Sequence, residues 1–146
     1  MHQLRQTGKN EVRIGTIIYK VNEMPNIDAV IEVYNDSGIN RPTSNRARIA
    51  NMYENANLIV CAFHQEELIG VARSLTDYVY CCYLSDLAVK ASYQKQGIGK
   101  ELIGLTREAI GEDTTLILLS APEAMDYYPK VGFERIQNGF IIRRKQ

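Results

Sequence analysis

The chain has no tryptophan, few cysteines and no excess of charge of either sign. Its 17 basic and 17 acidic side chains cancel, which argues against nucleic acid or an anionic membrane as the main partner. No apolar run approaches the length of about 18 residues that a membrane helix needs. The first residues also lack the apolar core of a secretion signal. We therefore expect no membrane partner, no nucleic-acid partner and a cytoplasmic location.

The few cysteines and histidines predict neither a disulfide nor a metal site. Cys81 and Cys82 are adjacent, so in a strand they point to opposite faces, and Cys61 leaves the count odd. No CxxC pair occurs, and His2 and His64 lie far apart in the sequence. This pattern is typical of reduced thiols in a cytoplasm and of a protein without a metal.

Length and periodicity predict one domain over residues 1–146, with 45% apolar residues to build a core. The first eleven residues are polar and are expected to fray. The patterns predict a strand at 12–21, helices at 25–36 and from Thr43 or Ser44 to Glu54, strands at 57–63, 68–75 and 79–89, a helix at 98–110, a strand at 114–120, a short helix at 122–130, and a terminal hairpin of 132–136 with 140–144. This order indicates an α/β (α+β) fold on a mixed sheet.

A glycine-rich turn, QKQGIGK at 94–100, joins the third middle strand to a helix. It does not fit a phosphate-binding P-loop, because a glutamate follows Lys100, nor a dinucleotide fingerprint, because a leucine replaces the third glycine. A third interpretation is a cradle that binds a diphosphate at the helix start, where Lys95 and Lys100 add positive charge. An ordinary glycine turn fits these seven residues equally well.

A second motif, YYPKVGF at 127–133, follows the turn by about 30 residues. Together with LAV at 87–89 and Q-x-x-G-x-G at 94–99, it resembles the GNAT superfamily of acetyl-CoA-dependent N-acetyltransferases. The resemblance covers roughly residues 57–136. It implies the GNAT fold, whose central mixed, mostly antiparallel sheet splays between the third middle strand and the following strand and is flanked by about four helices.

The resemblance implies acetyl-CoA as co-substrate and no metal. The pantetheine chain is expected to pair with backbone groups of Leu87 and Val89, and the pyrophosphate with N–H groups around Gln96 to Lys100. The expected cofactor-binding set is Leu87, Ala88, Val89, Gln94, Lys95, Gln96, Gly97, Ile98, Gly99 and Lys100.

The resemblance also assigns the chemistry. Tyr128 is expected to protonate the leaving thiolate, or alternatively only to pack on the cofactor; Tyr127 is expected only to pack. A backbone N–H near Val89 is expected to stabilise the oxyanion. The third catalytic position falls at Ser85, where polyamine-acetylating members carry a glutamate.

The base is open. Ser85 can hold a water but cannot take a proton at neutral pH. Asp86 follows, and strand alternation predicts that it points away from the face of Ser85 and Tyr83 unless a bulge re-aims it. A paired structural aspartate is an equal alternative. The amine is then deprotonated through a water relay or arrives partly neutral.

The acceptor pocket is expected from the first two helices, their loop and the turn at 76–83. Its candidate residues are Asn40, Arg41, Tyr78, Tyr80 and Tyr83, although loop packing explains each of them too. Aromatic walls suit a small amine, and Arg41 or Arg73 can hold a carboxylate. We predict transfer of acetyl to a primary amine of a small molecule. The alternative is an acyl-CoA-binding regulatory protein with weak or no catalysis. The terminal strand also makes a homodimer conceivable.

Overall fold

A seven-stranded sheet forms the centre of the computed structural model, which describes residues 5–8 and 10–145. Neighbouring strands are antiparallel except the last two, which are parallel. In spatial and chain order they are β1 (Arg5–Gly8), β2 (Glu11–Ile14), β3 (Ile17–Val21), β4 (Leu58–His64), β5 (Glu67–Thr76), β6 (Cys81–Val89) and β7 (Thr115–Ile117).

Helices cover both faces of the sheet. They are α1 (Ile27–Ser37), α2 (Arg46–Glu54), α3 (Ile98–Ile110) and the one-turn α4 (Tyr127–Lys130), with 3₁₀ turns at Ala91–Tyr93 and Pro122–Ala124. The apolar stripe of α3 packs on one face, against residues such as Val60 and Leu84. Those of α1 and α2 pack on the other face, against Ile59 and Val71. The two apolar cores therefore sandwich the sheet.

Asparagines start the first two helices. Asn26 Oδ1 accepts a hydrogen bond from the N–H of Ala29 at 3.0 Å, and Asn45 Oδ1 accepts one from Arg48 at 3.1 Å. These caps satisfy N–H groups that the first helical turn leaves unpaired. The starts predicted at Pro25 and at Thr43 or Ser44 are therefore early by one or two residues.

The strand predicted at 12–21 is in fact a hairpin of β2 and β3. Gly15 adopts φ +60°, and the chain reverses between the paired residues Ile14 and Ile17. Glycine adopts this left-handed conformation without a steric cost, so it breaks an apolar run that periodicity joins. The segment predicted to fray also contributes β1, which pairs with β2.

The end of the sheet splays between β6 and β7. These strands pair only where Cys81–Tyr83 lies beside Thr115–Ile117, although β6 continues to Val89. In the described residues, β6 therefore has no strand on its β7 side from Leu84 onwards. This wedge-shaped gap confirms the predicted splay.

The C-terminal segment differs from the prediction. The strand predicted at 114–120 is formed only at Thr115–Ile117, and residues 118–145 contain no strand, so the predicted terminal hairpin is wrong. Phe140 and Ile142 are 100% and 99% exposed. An isolated two-stranded hairpin is only marginally stable, and here β7 is too short to extend the sheet towards it.

Candidate active site

The turn at 94–100 begins α3 directly beyond the end of β6. Gly97 is the N-cap of α3 with φ +84°, and the first helical bond runs from the N–H of Glu101 to its carbonyl at 3.1 Å. The N–H groups of Ile98, Gly99 and Lys100 therefore have no acceptor within the helix. A Cβ placed on Gly97 meets nothing within 4 Å, so the turn is open on this side. Unpaired N–H groups and the helix dipole suit an anion such as a diphosphate.

The predicted cofactor-binding residues of this turn differ in whether their side chains are buried, bonded within the loop or exposed. Ile98 is buried at 3% exposure, so only its backbone faces the turn. Gln94 Nε2 donates to the carbonyl of Val89 at 2.9 Å, and Gln96 Nε2 donates to that of Ser92 at 3.2 Å. Both amides hold the shape of the loop. The side chains of Lys95 and Lys100 are exposed beside it.

Gly99 makes room for a neighbouring side chain. A Cβ on Gly99 would lie 2.7 Å from the hydroxyl oxygen of Tyr127 in α4. Side-chain carbons do not approach oxygen so closely, so an alanine here would displace the tyrosine. The sequence predicts only a packing role for Tyr127. Its contact with Gly99 connects the turn to α4, the helix that also carries Tyr128.

We expect Gly97→Val to weaken acetyl-CoA binding about tenfold or more, because the left-handed conformation costs a residue with a Cβ about 1–2 kcal/mol and the turn must rearrange. Isothermal titration of acetyl-CoA measures the effect. Gly104→Ala in the same helix is the control, since a Cβ there meets nothing within 4 Å. Unchanged affinity in Gly97→Val would show that the turn is not the acetyl-CoA cradle.

We expect Gly99→Ala and Tyr127→Phe to be coupled. The alanine alone should destabilise the fold by about 1 kcal/mol, the low end of the range for overpacking, because the atom it meets is the end of a side chain that is 37% exposed. Removal of the tyrosine hydroxyl should restore part of that loss in the double variant. Urea unfolding of the two single variants and the double variant gives the coupling free energy. Additive effects would contradict the contact.

Tyr128 lies half-buried among aromatic rings. Its ring centroid is 5.2 Å from that of Tyr127 and 5.5 Å from that of Phe133, both in edge-on contact. Burial raises the pKa of Tyr128, Tyr127 raises it further, and the charge of Arg41 partly opposes both. The hydroxyl therefore stays protonated at neutral pH and can donate a proton.

A bulge in β6 places Ser85 between two ladder pairs. Arg73 pairs with Asp86 and Ser74 with Leu84, so Ser85 has no partner in β5. Beyond this extra residue the alternation of faces is reversed: Leu84 joins the core under α3, whereas Asp86 bonds to Tyr34 in α1. The prediction that Asp86 points away from the Ser85 face is therefore wrong, and the bulge alternative is right. Ser85 Oγ lies 3.5 Å from Asp86 Oδ1.

Asp86 is the centre of a buried ion cluster. Its side chain is 0% exposed and accepts hydrogen bonds from Arg41 Nε on one oxygen and Arg73 Nε on the other. The Tyr34 hydroxyl donates to the second oxygen at 2.9 Å and contacts the Tyr53 hydroxyl at 2.5 Å. Arg73 also donates to Ser85 Oγ at 3.0 Å. We call this set of side chains the Asp86 cluster.

The Asp86 cluster carries one positive charge in excess. Burial and the nearby carboxylate of Asp86 raise the pKa of Tyr34, and burial, followed by the Tyr34 hydroxyl, raises that of Tyr53, so both are neutral donors. Burial lowers the pKa of Arg73, but the carboxylate of Asp86 raises it by more, so the net shift of that pKa is upward. Two arginines thus face one carboxylate.

The predicted acceptor residues fall into two groups. Asn40 and Arg41 lie in the loop between α1 and α2, and Arg41 Nη2 donates to the carbonyl of Ser85 at 2.7 Å. Tyr83 occupies the last ladder pair before the splay, opposite Ile117. Arg41 therefore contacts the bulge, and Tyr83 lies two residues before Ser85 in β6.

Tyr78 and Tyr80 do not join them. Both lie in the turn that connects β5 to β6, at the closed end of that hairpin. The Tyr78 hydroxyl donates to the carbonyl of Asn57, and Tyr80 is 76% exposed. Asp77 Oδ1 organises the turn by accepting the N–H groups of residues 79, 80 and 81.

A cavity of about 540 Å³ borders Tyr128. Its walls are residues 116–120, α4 with the residues that follow it, and the C-terminal segment. The lining includes Phe133, Arg135 and Arg143, and Arg135 is 3.4 Å from Asp126. Cavities of this size accommodate small molecules.

The Asp86 cluster contains residues whose joint role sequence reasoning missed. Neither Tyr34 nor Tyr53 is among the residues that the sequence predicts for the site. The available signal was the pair Arg73 and Asp86, which are opposite charges in the middle of two strands that are otherwise apolar. Such charges are seldom buried unless they pair.

Comparison with known proteins places the chain in a family. A family model described as an acetyltransferase (GNAT) domain matches residues 29–142. The chain belongs to the GNAT acetyltransferase family. Among curated relatives of this GNAT chain, the histone acetyltransferase TAP1 of Glycine max is 36% identical over 77 residues. That match covers 51% of this chain and 33% of the relative, so the chain corresponds to only about a third of that protein's length.

Solved structures show the same fold. A GNAT-family acetyltransferase from Streptococcus pneumoniae superposes with a TM-score of 0.71 at 23% identity, over 89% of this GNAT chain and 99% of that one. An aminoglycoside N-acetyltransferase, AAC(6')-Iy, solved in complex with CoA, superposes with a TM-score of 0.67 at 15% identity, over 89% and 95%.

Nowhere in 5–8 and 10–145 do three or more histidine, cysteine or acidic side chains gather as metal ligands would. No helix of the described chain is long and apolar enough to cross a membrane. The three cysteines are free thiols.

Proposed function

We propose that the protein transfers acetyl from acetyl-CoA directly to a primary amine of a small molecule. The observation that carries this proposal is the gap between β6 and β7, which ends at the open N-terminus of α3 and has Tyr128 nearby. A strand edge, a helix start and a proton donor are thus brought together, as acyl transfer from CoA requires.

The residues present fit acetyl-CoA. Leu87, Ala88 and Val89 lie in the part of β6 that has no β7 neighbour, so backbone groups there are available to pair with an amide-containing chain, although the carbonyl of Val89 already accepts from Gln94 Nε2. The N–H groups of Ile98, Gly99 and Lys100 suit its diphosphate. When bound, acetyl-CoA supplies the acetyl group as an activated thioester.

The proposed chemistry uses few side chains. The acceptor nitrogen forms a bond to the acetyl carbon, the carbon–sulfur bond breaks, and the Tyr128 hydroxyl gives its proton to the sulfur. Tyr128 is then reprotonated from water. A backbone N–H near Val89 stabilises the developing oxyanion. The lost amine proton leaves to solvent.

Asp86 is not assigned as the base in this mechanism. Its two oxygens are bonded to arginines and to Tyr34, and its side chain is 0% exposed. Ser85 is half-buried and its Oγ is oriented by Arg73. We assign Ser85 to hold a water through which the amine loses its proton, and Asp86 to fix the bulge that presents Ser85.

A small molecule is the proposed acceptor. The cavity that borders Tyr128 has a volume suited to one, and the acceptor residues at the bulge lie outside its lining. The free state of all three cysteines suits a reducing compartment such as the cytoplasm.

The proposal is tested by thiol release from acetyl-CoA with a panel of aryl amines, amino acids, polyamines and short peptides, with mass spectrometry of each product. Amine-dependent release that is largest for small molecules supports it. Release only with peptides would make the acceptor a protein amine. Tight acetyl-CoA binding without release from any amine would favour a regulatory binding protein.

A further inference from the structure

The guanidinium of Arg41 has a free edge. An arginine carries five N–H donors. Arg41 uses one on Nε for Asp86, one on Nη2 for the carbonyl of Ser85 at 2.7 Å and one on Nη1 for the carbonyl of Asn40 at 2.7 Å. One N–H on each terminal nitrogen remains, and a carboxylate can accept two guanidinium N–H groups in a two-bond fork.

Arg41 is the accessible arginine of the Asp86 cluster. Its side chain is 26% exposed, whereas that of Arg73 is 8% exposed and that of Asp86 is 0% exposed. Because Asp86 balances only one of the two arginines, the excess positive charge is available to solvent at Arg41. A second carboxylate on the free edge would make the cluster neutral.

Arg41 is also close to the proposed reaction centre. It donates a hydrogen bond to the carbonyl of Ser85 at the bulge. Burial raises the pKa of Tyr128, and the charge of Arg41 partly opposes that shift. A carboxylate on its free edge therefore lies in the same site as both groups. Asp86 and Ser85 hold the guanidinium in place, so little side-chain entropy is lost when an anion binds.

We propose that Arg41 binds a carboxylate of the acceptor, so that the substrate class is small amines that also carry a carboxylate, such as amino acids. This inference rests on the proposed function, because it selects among that reaction's acceptors. It assigns a specificity role to Arg41 and no part in proton transfer.

The first test compares matched acceptors in the acetyl-transfer assay, namely tyrosine with tyramine and phenylalanine with phenethylamine. We expect wild type to favour the amino acid in kcat/KM by about tenfold or more, as a charge-assisted bond does. Arg41→Gln should bring the ratio close to one, and Arg41→Lys should retain part of it. Arg46→Gln, which removes an exposed arginine paired with Asp28, is the matched control.

The second test measures binding without chemistry. Titration calorimetry with the CoA-loaded protein should show 3-phenylpropanoate binding at least about tenfold more tightly than 3-phenylpropanol, with the difference lost in Arg41→Gln. Thermal unfolding of each variant checks that it folds. If Arg41→Gln does not fold, the acid-over-alcohol preference of wild type and its reduction in Arg41→Lys decide the matter.

The outcomes separate the two proposals. Acetylation of amines without a preference for the carboxylate-bearing acceptor would overturn the role of Arg41 and leave the proposed transferase function intact. The same holds if that preference is lost in Arg135→Gln or Arg143→Gln but kept in Arg41→Gln. Arg41-dependent binding of phenylpropanoate without acetylation of any amine supports the carboxylate site and counts against the proposed function.

Discussion

Replacing Tyr128 by phenylalanine should lower kcat for acetyl transfer by about 100-fold or more, the range found when a general acid is removed. The KM for acetyl-CoA should change little, because the ring and its contacts with Tyr127 and Phe133 remain. An interaction made only in the transition state lowers kcat and kcat/KM together. Steady-state kinetics with the best acceptor of the panel measures both quantities.

The pH profile gives a second readout of the same residue. Burial raises the pKa of Tyr128 above its ordinary value of 10.0. The protonated acid is the active form, so the rate should not decline through loss of this proton until the pH exceeds that value. The decline should be absent in Tyr128→Phe. Tyr127→Phe is the neighbouring control, and full activity of Tyr128→Phe would exclude the hydroxyl as the acid.

Replacing Asp86 by alanine should lower the free energy of unfolding by about 3–5 kcal/mol. Removal of one partner from a buried ion pair leaves an uncompensated charge, and here Arg73 would stay buried without its carboxylate. The Tyr34 hydroxyl would also lose its acceptor. Urea unfolding followed by circular dichroism measures the loss.

Asp28→Ala is the matched control, because Asp28 forms an exposed ion pair with Arg46 and such pairs add little to stability. Its unfolding curve should stay close to wild type. Asp86→Asn separates structure from catalysis. A variant with unchanged stability and a large loss of kcat would identify Asp86 as a catalytic base and contradict the structural role assigned to it.

Local patterns predicted much of the scaffold. The strands at 58–64, 67–76 and 81–89 and the helix at 98–110 follow from apolar runs, turn residues and helical spacing, which act over a few neighbouring residues. The glycine turn is predicted to lie at the start of a helix, and Gly97 is the N-cap of α3 with φ +84°. Errors at the N-terminus came from Gly15, because periodicity alone does not show where a run of apolar residues reverses.

The C-terminal segment shows the limit of hairpin signals. Residues 132–144 have alternating apolar residues and an Asn-Gly step, yet the structure forms no strand there. Such signals act within the segment, whereas a stable hairpin also needs a sheet edge of matching length. The length of β7 is set by its pairing with β6.

The sequence by itself predicted the family, the glycine turn at the start of α3 and the candidate acid Tyr128, because each depends on residues close together in the chain. Only the tertiary structure decided which way the polar side chains of β6 point and which residues they contact. One extra residue, Ser85, shifts the ladder against β5 and turns Asp86 towards α1 and α2. There it meets Arg41, Arg73 and Tyr34, which come from three separate segments. Register between strands depends on the packing of both partners, so it is not written in either strand alone.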